Sequence, residues 1–335
     1  MRIISGKYRG RRLFSPPNND VRPTSDVVKE SLFDTLQFDL EGEVFVDLFS
    51  GTGNIGIEAL SRGAEVIFVD SNRRSAALIA QNLEVVGADN QVLTRDFRDA
   101  LNSLGKKVKY IYVDPPYATE YINEICDIVA KRDLLEDDGY IIYEHDRSAR
   151  YELSNKFMVA KAKKFGTIRI EYIAKVKTIC AVTGSFDPIT NGHLNVIMQA
   201  KKQFDKVVIL IANNPEKKYM FDMQTRKELV CDVVRDIANI NVDTCDGYVF
   251  EYCNANEISV IMRGYRNEVD YAYEAEMAKF NYENGNINTL LTQSNEDVNE
   301  VSSSQVRQKL QNGESIKGLV PSCIARKIAD RGEKE

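Results

Sequence analysis

At 335 residues, with 43% hydrophobic and 28% charged side chains, the chain is too long for a single hydrophobic core and too apolar to stay disordered. A formal net charge of −6 excludes coating nucleic acid by bulk charge, and no stretch approaches the roughly 20 apolar residues that cross a bilayer. The opening MRIISGKYRGRRLF lacks the apolar core of a signal peptide, and the six cysteines form no C-x-x-C pair and have only His145 and His193 beside them. A cytoplasmic protein with reduced thiols, no membrane association and no protein-held metal is expected.

In chain order, the first feature is electrostatic. Residues 1–29 carry seven Lys or Arg against two Asp, a local excess of five positive charges; a solvated charge run is its plainer reading. From Glu43 to Arg169, short β-branched runs alternate with amphipathic stretches (VFVDLF, IGIEALSRG, EVIFVD, SAALIAQNLEVVG, YIYVDPP, INEICDIVAK, GYIIYEH), the pattern of βαβ units on a parallel sheet. It restarts at KTICAVTG, with a helix over about 192–204, the strand KVVILIA, a helix near 224–237, then INVDTC and ISVIMRG. The fold class expected is α/β, with two doubly wound parallel-sheet domains covering 1–175 and 176–335. TIRIEYIAK, the last strand of the first, runs almost directly into the second.

In VFVDLFSGTGNIGIEAL, Asp47 ends a strand, Gly51 and Gly53 lie in the turn, and a helix starts near Asn54. Glycines let the turn reach unusual φ values and bring backbone against a ligand. A second strand ends in Asp70, placed to accept hydrogen bonds from ribose hydroxyls. Because Gly51, Gly53 and Gly56 satisfy G-x-G-x-x-G, a nicotinamide-dependent dehydrogenase shares this much. VDPPY at 113–117 separates the two. An exocyclic amine is a poor nucleophile because its lone pair is delocalised. The Asp114 carboxylate and Pro115 carbonyl can each accept one of its N–H groups and direct the lone pair at a methyl sulfonium, while Tyr117 stacks on the extruded base. The plainer alternative is a rigid turn at a strand end.

Together these motifs resemble the amino-group methyltransferases of adenine or guanine, and Asp96 in TRDFRDAL matches the position where they hold the donor's adenine, though a helix cap reads nearly as well. GKYRGRRL followed by RPTSDVVKESLFDTL looks like the RsmD family, which methylates the exocyclic amine of one guanine in small-subunit ribosomal RNA. That resemblance covers roughly residues 1–175. It implies a class I S-adenosylmethionine-dependent Rossmann-like fold, S-adenosyl-L-methionine as cofactor, and the rRNA or assembling 30S particle as partner. Arg22 and Thr24 then lie near the site mouth. An adenine-directed DNA enzyme is the alternative.

In the second half, TGSFDPITNGHLNVI sets a strand end and glycine turn before a T-x-G-H at a helix head, where a histidine and helix N-terminus can face a phosphate. His193 can donate to a non-bridging oxygen as charge builds in the transition state. NNPEKKYMF, IMRGYRNEVDYAYEAEMA and VSSSQVRQKL follow in the order of the phosphopantetheine adenylyltransferase (CoaD) family, which this half resembles over about 160 residues. The resemblance implies a nucleotidyltransferase Rossmann-like fold, ATP and 4′-phosphopantetheine as substrates, Mg²⁺ brought with ATP, and a homo-oligomer. It assigns Lys217 and Arg263, within the R-G of Gly264, to the pantetheine phosphate, with Ser185 where the family has threonine and Phe186 beside it. Arg266, Tyr273 and Glu274 take positions around the nucleotide, and Ser302, Ser303 and Ser304 face the ATP phosphates. Asn299, Glu300 and Val301, where the family carries an aromatic residue and isoleucine, and Tyr265, in place of the usual aliphatic, depart from the pattern. Two rival readings make one half a silent binding module, or give the second half another phosphate acceptor.

Overall fold

The computed structural model describes residues 1–15, 26–36, 39–116, 121–213, 217–293 and 301–332. The chain divides into two compact units, Met1–Lys175 and Val176–Glu335.

In the first unit, an N-terminal segment turns back on itself through an antiparallel Arg2–Arg12 bridge. The elements then run α1 (Asp26–Leu36), β1 (Val44–Asp47), α2 (Asn54–Ser61), β2 (Glu65–Val69), α3 (Arg73–Val86), β3 (Val92–Leu93), α4 (Phe97–Ser103), β4 (Val108–Val113), α5 (Tyr121–Arg132), β5 (Leu135–Asp146), β6 (Phe157–Phe165) and β7 (Ile168–Lys175). The sheet order is β3-β2-β1-β4-β5-β7-β6. Every residue of β1 and β4 is buried, as expected of strands covered on both faces. One face packs Leu32, Phe33, Ile57, Ile79 and Leu83 from α1, α2 and α3; the other packs Phe97, Leu101, Ile122, Ile125 and Val129 from α4 and α5.

The expected parallel sheet holds for five strands. β7 runs antiparallel to both β5 and β6. Only Gly166 and Thr167 separate β6 from β7, and so short a turn permits antiparallel pairing alone, since a parallel neighbour needs a crossover of a dozen or more residues.

The second unit runs β8 (Ile179–Gly184), α6 (Asn191–Gln203), β9 (Lys206–Ala212), α7 (Met223–Val234), β10 (Ile240–Cys245), α8 (Val249–Ala255), β11 (Val260–Tyr265), α9 (Glu268–Gly285), β12 (Asn288–Gln293), α10 (Ser303–Gln311) and α11 (Ser322–Gly332). Its sheet, ordered β10-β9-β8-β11-β12, is parallel throughout. Val196, Ile197, Leu229, Val230, Val306 and Ile324 fill one face. The other face holds a small cluster of Cys253, Ile258 and Ile287 against Ala181, Val208 and Ile261. Among the described residues, no helix is long and apolar enough to cross a membrane.

In both sheets the strand order reverses beside the first strand: between β1 and β4, and between β8 and β11. There the crossovers leave in opposite directions and open a crevice at the carboxyl ends of the strands. Asp47 and Asp114 lie at the first crevice; Ser185 and Arg263 lie at the second.

Candidate active sites

The first crevice is built by the turn after β1. Ser50 Oγ donates to the Asp47 carbonyl at 2.6 Å, and Gly53 N–H donates to the Ser50 carbonyl at 2.7 Å. Gly53 is the N-cap of α2 at φ +75°, a left-handed conformation, and offers no capping side chain. A Cβ on Gly56 would lie 2.3 Å from the Phe68 ring and 3.0 Å from Asp47 Oδ2. The Gly56 N–H instead donates to that oxygen at 3.0 Å.

Asp47 is fully enclosed. Burial pushes its carboxyl up to about 7 against the opposing Gly56 hydrogen bond, with the Asp70 charge adding to the rise. Asp114, half-buried directly after β4, is also raised well above the usual carboxylate range, by burial first and then by the charges of Glu144 and Asp47. Glu144 is the residue that the motifs did not reveal. It sits 30 positions beyond Asp114 on β5, accepts the Tyr112 hydroxyl at 2.5 Å, and adds a third carboxyl to this end of the sheet.

Asp70 accepts from Gly51 N–H at 2.9 Å and Asn72 N–H at 2.8 Å, so it braces the glycine turn as it stands. Asp96 caps α4, accepting from Arg98 N–H at 2.9 Å. Arg98 pairs with Glu124 and lies over Phe97, 4.3 Å from the ring centroid; Phe97 packs on Phe49 and Tyr121, an aromatic cluster that sequence spacing did not show. Pro115 follows Asp114 half-buried. Arg22, Thr24 and Tyr117 lie outside the described residues.

At the second crevice, Thr190 caps α6 and forms a capping box with His193. The Thr190 N–H donates to His193 Nδ1 at 3.1 Å, so Nδ1 is the acceptor nitrogen and the neutral ring carries its proton on Nε2. Burial, then the positive charges of Arg263 and Arg266, lower the ring to about 4. The ring packs at a tilt against Phe186, 4.9 Å between centroids.

Arg263 donates Nε to Glu274 Oε2 at 2.8 Å and Nη2 to Oε1 at 2.5 Å, while Nη1 donates to the Thr183 carbonyl at 2.7 Å. Gly264 and Tyr265 continue β11 beside β12. Arg266 pairs with Asp270 at 2.6 Å. Lys217 is exposed; Tyr273, 52% exposed, stands on the solvent side of α9, away from the buried Glu274.

Each of the three serines is already bonded. Ser302 Oγ caps α10 by accepting from Gln305 N–H, Ser303 Oγ donates to the Pro188 carbonyl, and Ser304 Oγ accepts from Arg307. A helix start nonetheless keeps backbone N–H groups for an anion. Asn299 and Glu300 lie outside the described residues.

Residues 1–174 match the family model described as Conserved hypothetical protein 95, and residues 181–309 match the Cytidylyltransferase-like model. The chain is similar to the "Phosphopantetheine adenylyltransferase" of Clostridium tetani, 39% identical over 158 residues, 47% of this chain and 99% of that protein. It is also similar to "Putative rRNA methyltransferase YlbH" of Bacillus subtilis, 38% identical over 153 residues, 44% of this chain and 83% of that protein. Among solved structures, "Putative methyltransferase yhhF from Escherichia coli" aligns with 52% of this chain and 97% of its own at 25% identity, TM-score 0.47. The chain thus belongs to the Conserved hypothetical protein 95 family through residues 1–174 and to the phosphopantetheine adenylyltransferase family through its second half, two enzyme types in one polypeptide.

Proposed function

We propose that the first unit methylates the exocyclic N2 amine of a guanine in small-subunit rRNA, and that the second transfers AMP from ATP to 4′-phosphopantetheine, giving dephospho-coenzyme A and pyrophosphate. The first reading is carried by the position of Asp114, at the end of the strand beside the glycine turn. The turn's left-handed Gly53 fits a backbone that approaches a ligand closely, while Gly56 lets α2 pack tightly on Phe68 and Asp47 and so fixes the turn. Asp47, Gly51, Gly53, Asp70 and Asp96 would hold S-adenosyl-L-methionine, which supplies the electrophilic methyl group. Asp114 and the Pro115 carbonyl each accept one N–H of the amine and turn its lone pair toward the donor, and Tyr117 stacks on the base. The nitrogen becomes acidic only as the new bond forms and then gives its proton to the hydrogen-bonded Asp114 carboxylate, so no strong general base is required. The basic N-terminal segment, with Arg22 and Thr24, holds RNA phosphates. Incubating the chain with methyl-labelled S-adenosylmethionine and undermethylated small subunits should place label on guanine, and Asp114→Asn should abolish it. Label on adenine, or none, defeats the reading.

The second reading is carried by His193, whose Nδ1 is occupied by Thr190 so that Nε2–H remains as the donor. A phosphate oxygen of the acceptor attacks the α-phosphorus in line, the bond to the bridging oxygen breaks, and pyrophosphate leaves; His193 stabilises the charge on the non-bridging oxygens. Lys217, Arg263 and Ser185 hold the acceptor phosphate, and Arg266, Tyr273, Glu274 and the Ser302–Ser304 helix start surround the nucleotide, with Phe186 packed against the histidine. Mg²⁺ enters with ATP; the described residues gather no group of three or more side chains able to ligate it. Pyrophosphate release dependent on 4′-phosphopantetheine, lost in His193→Ala, tests this half. ATP binding without release points instead to another acceptor or a silent module.

We also assign the chain to the cytoplasm, in keeping with its six free cysteines, and to a homo-oligomer formed through the second unit. Tyr248, which caps α8, and Val269, Tyr271, Met277 and Tyr282 on α9 are exposed, an apolar surface of the kind that subunit contacts cover.

A further inference from the structure

Two arginines and one aspartate, none with a part in the adenylyl transfer described above, join the segments around the second crevice. Asp187 is fully buried; its Oδ1 accepts from Phe221 N–H at 2.9 Å and its Oδ2 from Met220 N–H at 2.8 Å. Arg226 of α7, 1% exposed, donates Nη1 to the Ser185 carbonyl at 2.8 Å and Nη2 to Asn213 Oδ1 at 2.6 Å, and its guanidinium lies 4.2 Å from the centroid of the Tyr219 ring. Arg307 of α10 donates Nη1 to the Asp187 carbonyl at 2.7 Å, approaches its Oδ2 at 3.5 Å, and donates Nη2 to Ser304 Oγ at 3.0 Å.

Burying a guanidinium is costly, and a well-packed apolar side chain fills the same volume at lower cost. Arg226 bears that cost with its Nε lacking any hydrogen-bond partner among the described residues. What the planar fork supplies and an apolar residue does not is fixed direction toward several acceptors at once. The partners separate cleanly. Arg226 touches Ser185, and Asn213 and Tyr219 in the segment that carries Lys217, while Arg307 touches Ser304 and so the start of α10. Asp187 lies between, bonded on one side to Met220 and Phe221 and on the other to Arg307.

We infer that Arg226 and Arg307 are positioning residues that set the two substrate half-sites independently, Arg226 the phosphopantetheine half and Arg307, held on Asp187, the ATP half. This rests on the adenylyl-transfer reading of the second unit. Neither arginine touches a reacting atom; each acts through residues that do.

The test is initial-rate kinetics on the full chain with both substrates varied, accompanied by calorimetric binding of ATP and of 4′-phosphopantetheine separately. Arg226→Lys should raise the KM and Kd for 4′-phosphopantetheine about tenfold and leave those for ATP within about twofold. Arg307→Gln should do the reverse by a similar factor. If both constants rise together in each variant, or kcat alone falls, the inference is overturned. A wild-type chain that binds both ligands without releasing pyrophosphate defeats the activity reading, and the calorimetric split still decides the positioning roles. A chain that binds neither defeats both. Should circular dichroism show that Arg226→Lys does not fold, Tyr219→Leu, which removes only the ring beneath the guanidinium, must weaken 4′-phosphopantetheine and not ATP; unchanged acceptor affinity there overturns the Arg226 assignment.

Discussion

Arg263 on β11 grips both carboxylate oxygens of Glu274 on α9, at 2.8 and 2.5 Å, and so its guanidinium is held in place by the protein alone. A bidentate pair fixes the plane of the guanidinium, and Glu274, 8% exposed, is well shielded from water. Glu274→Gln keeps the shape but replaces one charged acceptor with an amide donor that opposes Arg263. Adenylyl transfer should fall about 10- to 100-fold in kcat/KM while the chain stays folded. Steady-state rates beside a thermal melt check this; unchanged rates would remove Glu274 from the site.

His193 should remain neutral far below the ordinary histidine range. Its folded pKa of about 4 lies under the 6.5 of an unperturbed ring, so as pH falls the unfolded chain takes the proton first. The second unit therefore loses stability as pH drops from about 6.5 toward 4, and this group contributes no pH dependence above that window. Nitrogen-15 spectra of the two histidine rings should show His193 as the Nε2–H tautomer at pH 5.5. A protonated ring there would contradict the capping-box geometry.

Asp47 gives the opposite slope. With a folded pKa of about 7 against 3.8, the folded carboxyl holds its proton more tightly than the unfolded one. The associated stability is complete below about 4 and is lost as pH rises to 7. Asp47→Asn should flatten that loss, leaving the ligand-free chain more stable at pH 8 by roughly 1–3 kcal/mol, while weakening S-adenosylmethionine binding. Urea unfolding at pH 5 and pH 8 measures it, and parallel slopes in the two proteins would exclude Asp47 as the source.

Two lysine ion pairs in the first unit should differ sharply in worth. Lys29 and Glu58 are both fully enclosed, 3.4 Å apart, and Lys29 also donates to the Arg2 carbonyl at 2.6 Å and Asn54 Oδ1 at 2.9 Å. Glu58 further accepts from Ile4 and Ser5 N–H, fastening the N-terminal segment to α2. Lys29→Met leaves Glu58 paired with Arg62 alone, at 3.1 Å, and takes the donor from the Arg2 carbonyl and Asn54 Oδ1, and should cost about 2–3 kcal/mol. Lys106→Met breaks a pair with Glu65 in which both partners are more than half exposed, and should cost under about 1 kcal/mol. Denaturant midpoints of the two variants compare them directly.

What the sequence disclosed was local. Gly51 to Gly56, Asp114-Pro115 and Thr190 to His193 each compress a turn, a strand end or a helix start into a few neighbours, so their local geometry reads from spacing alone. Asp96 was legible in the same way as a cap, because an N-cap needs only its own next two or three residues. Pairings across elements left no such trace. Glu144 meets Tyr112 over 32 positions and Arg226 meets Ser185 over 41, through strand register and helix packing that no motif encodes. The antiparallel β6–β7 pair was missed because β6, reading FMVAKAKKF with only Phe157 buried, shows little of a covered strand's apolar run.

Helix α9 spans 18 residues yet buries only Glu274 among its side chains. A helix in water draws most of its stability from an apolar face packed on something else, and a solitary chain offers this one little. Glu274 is also the residue that braces Arg263. If neighbouring copies supply the missing cover, then dilution strips the support from α9 and slackens the arginine's grip, and the specific activity of the second site becomes a function of protein concentration through mass action.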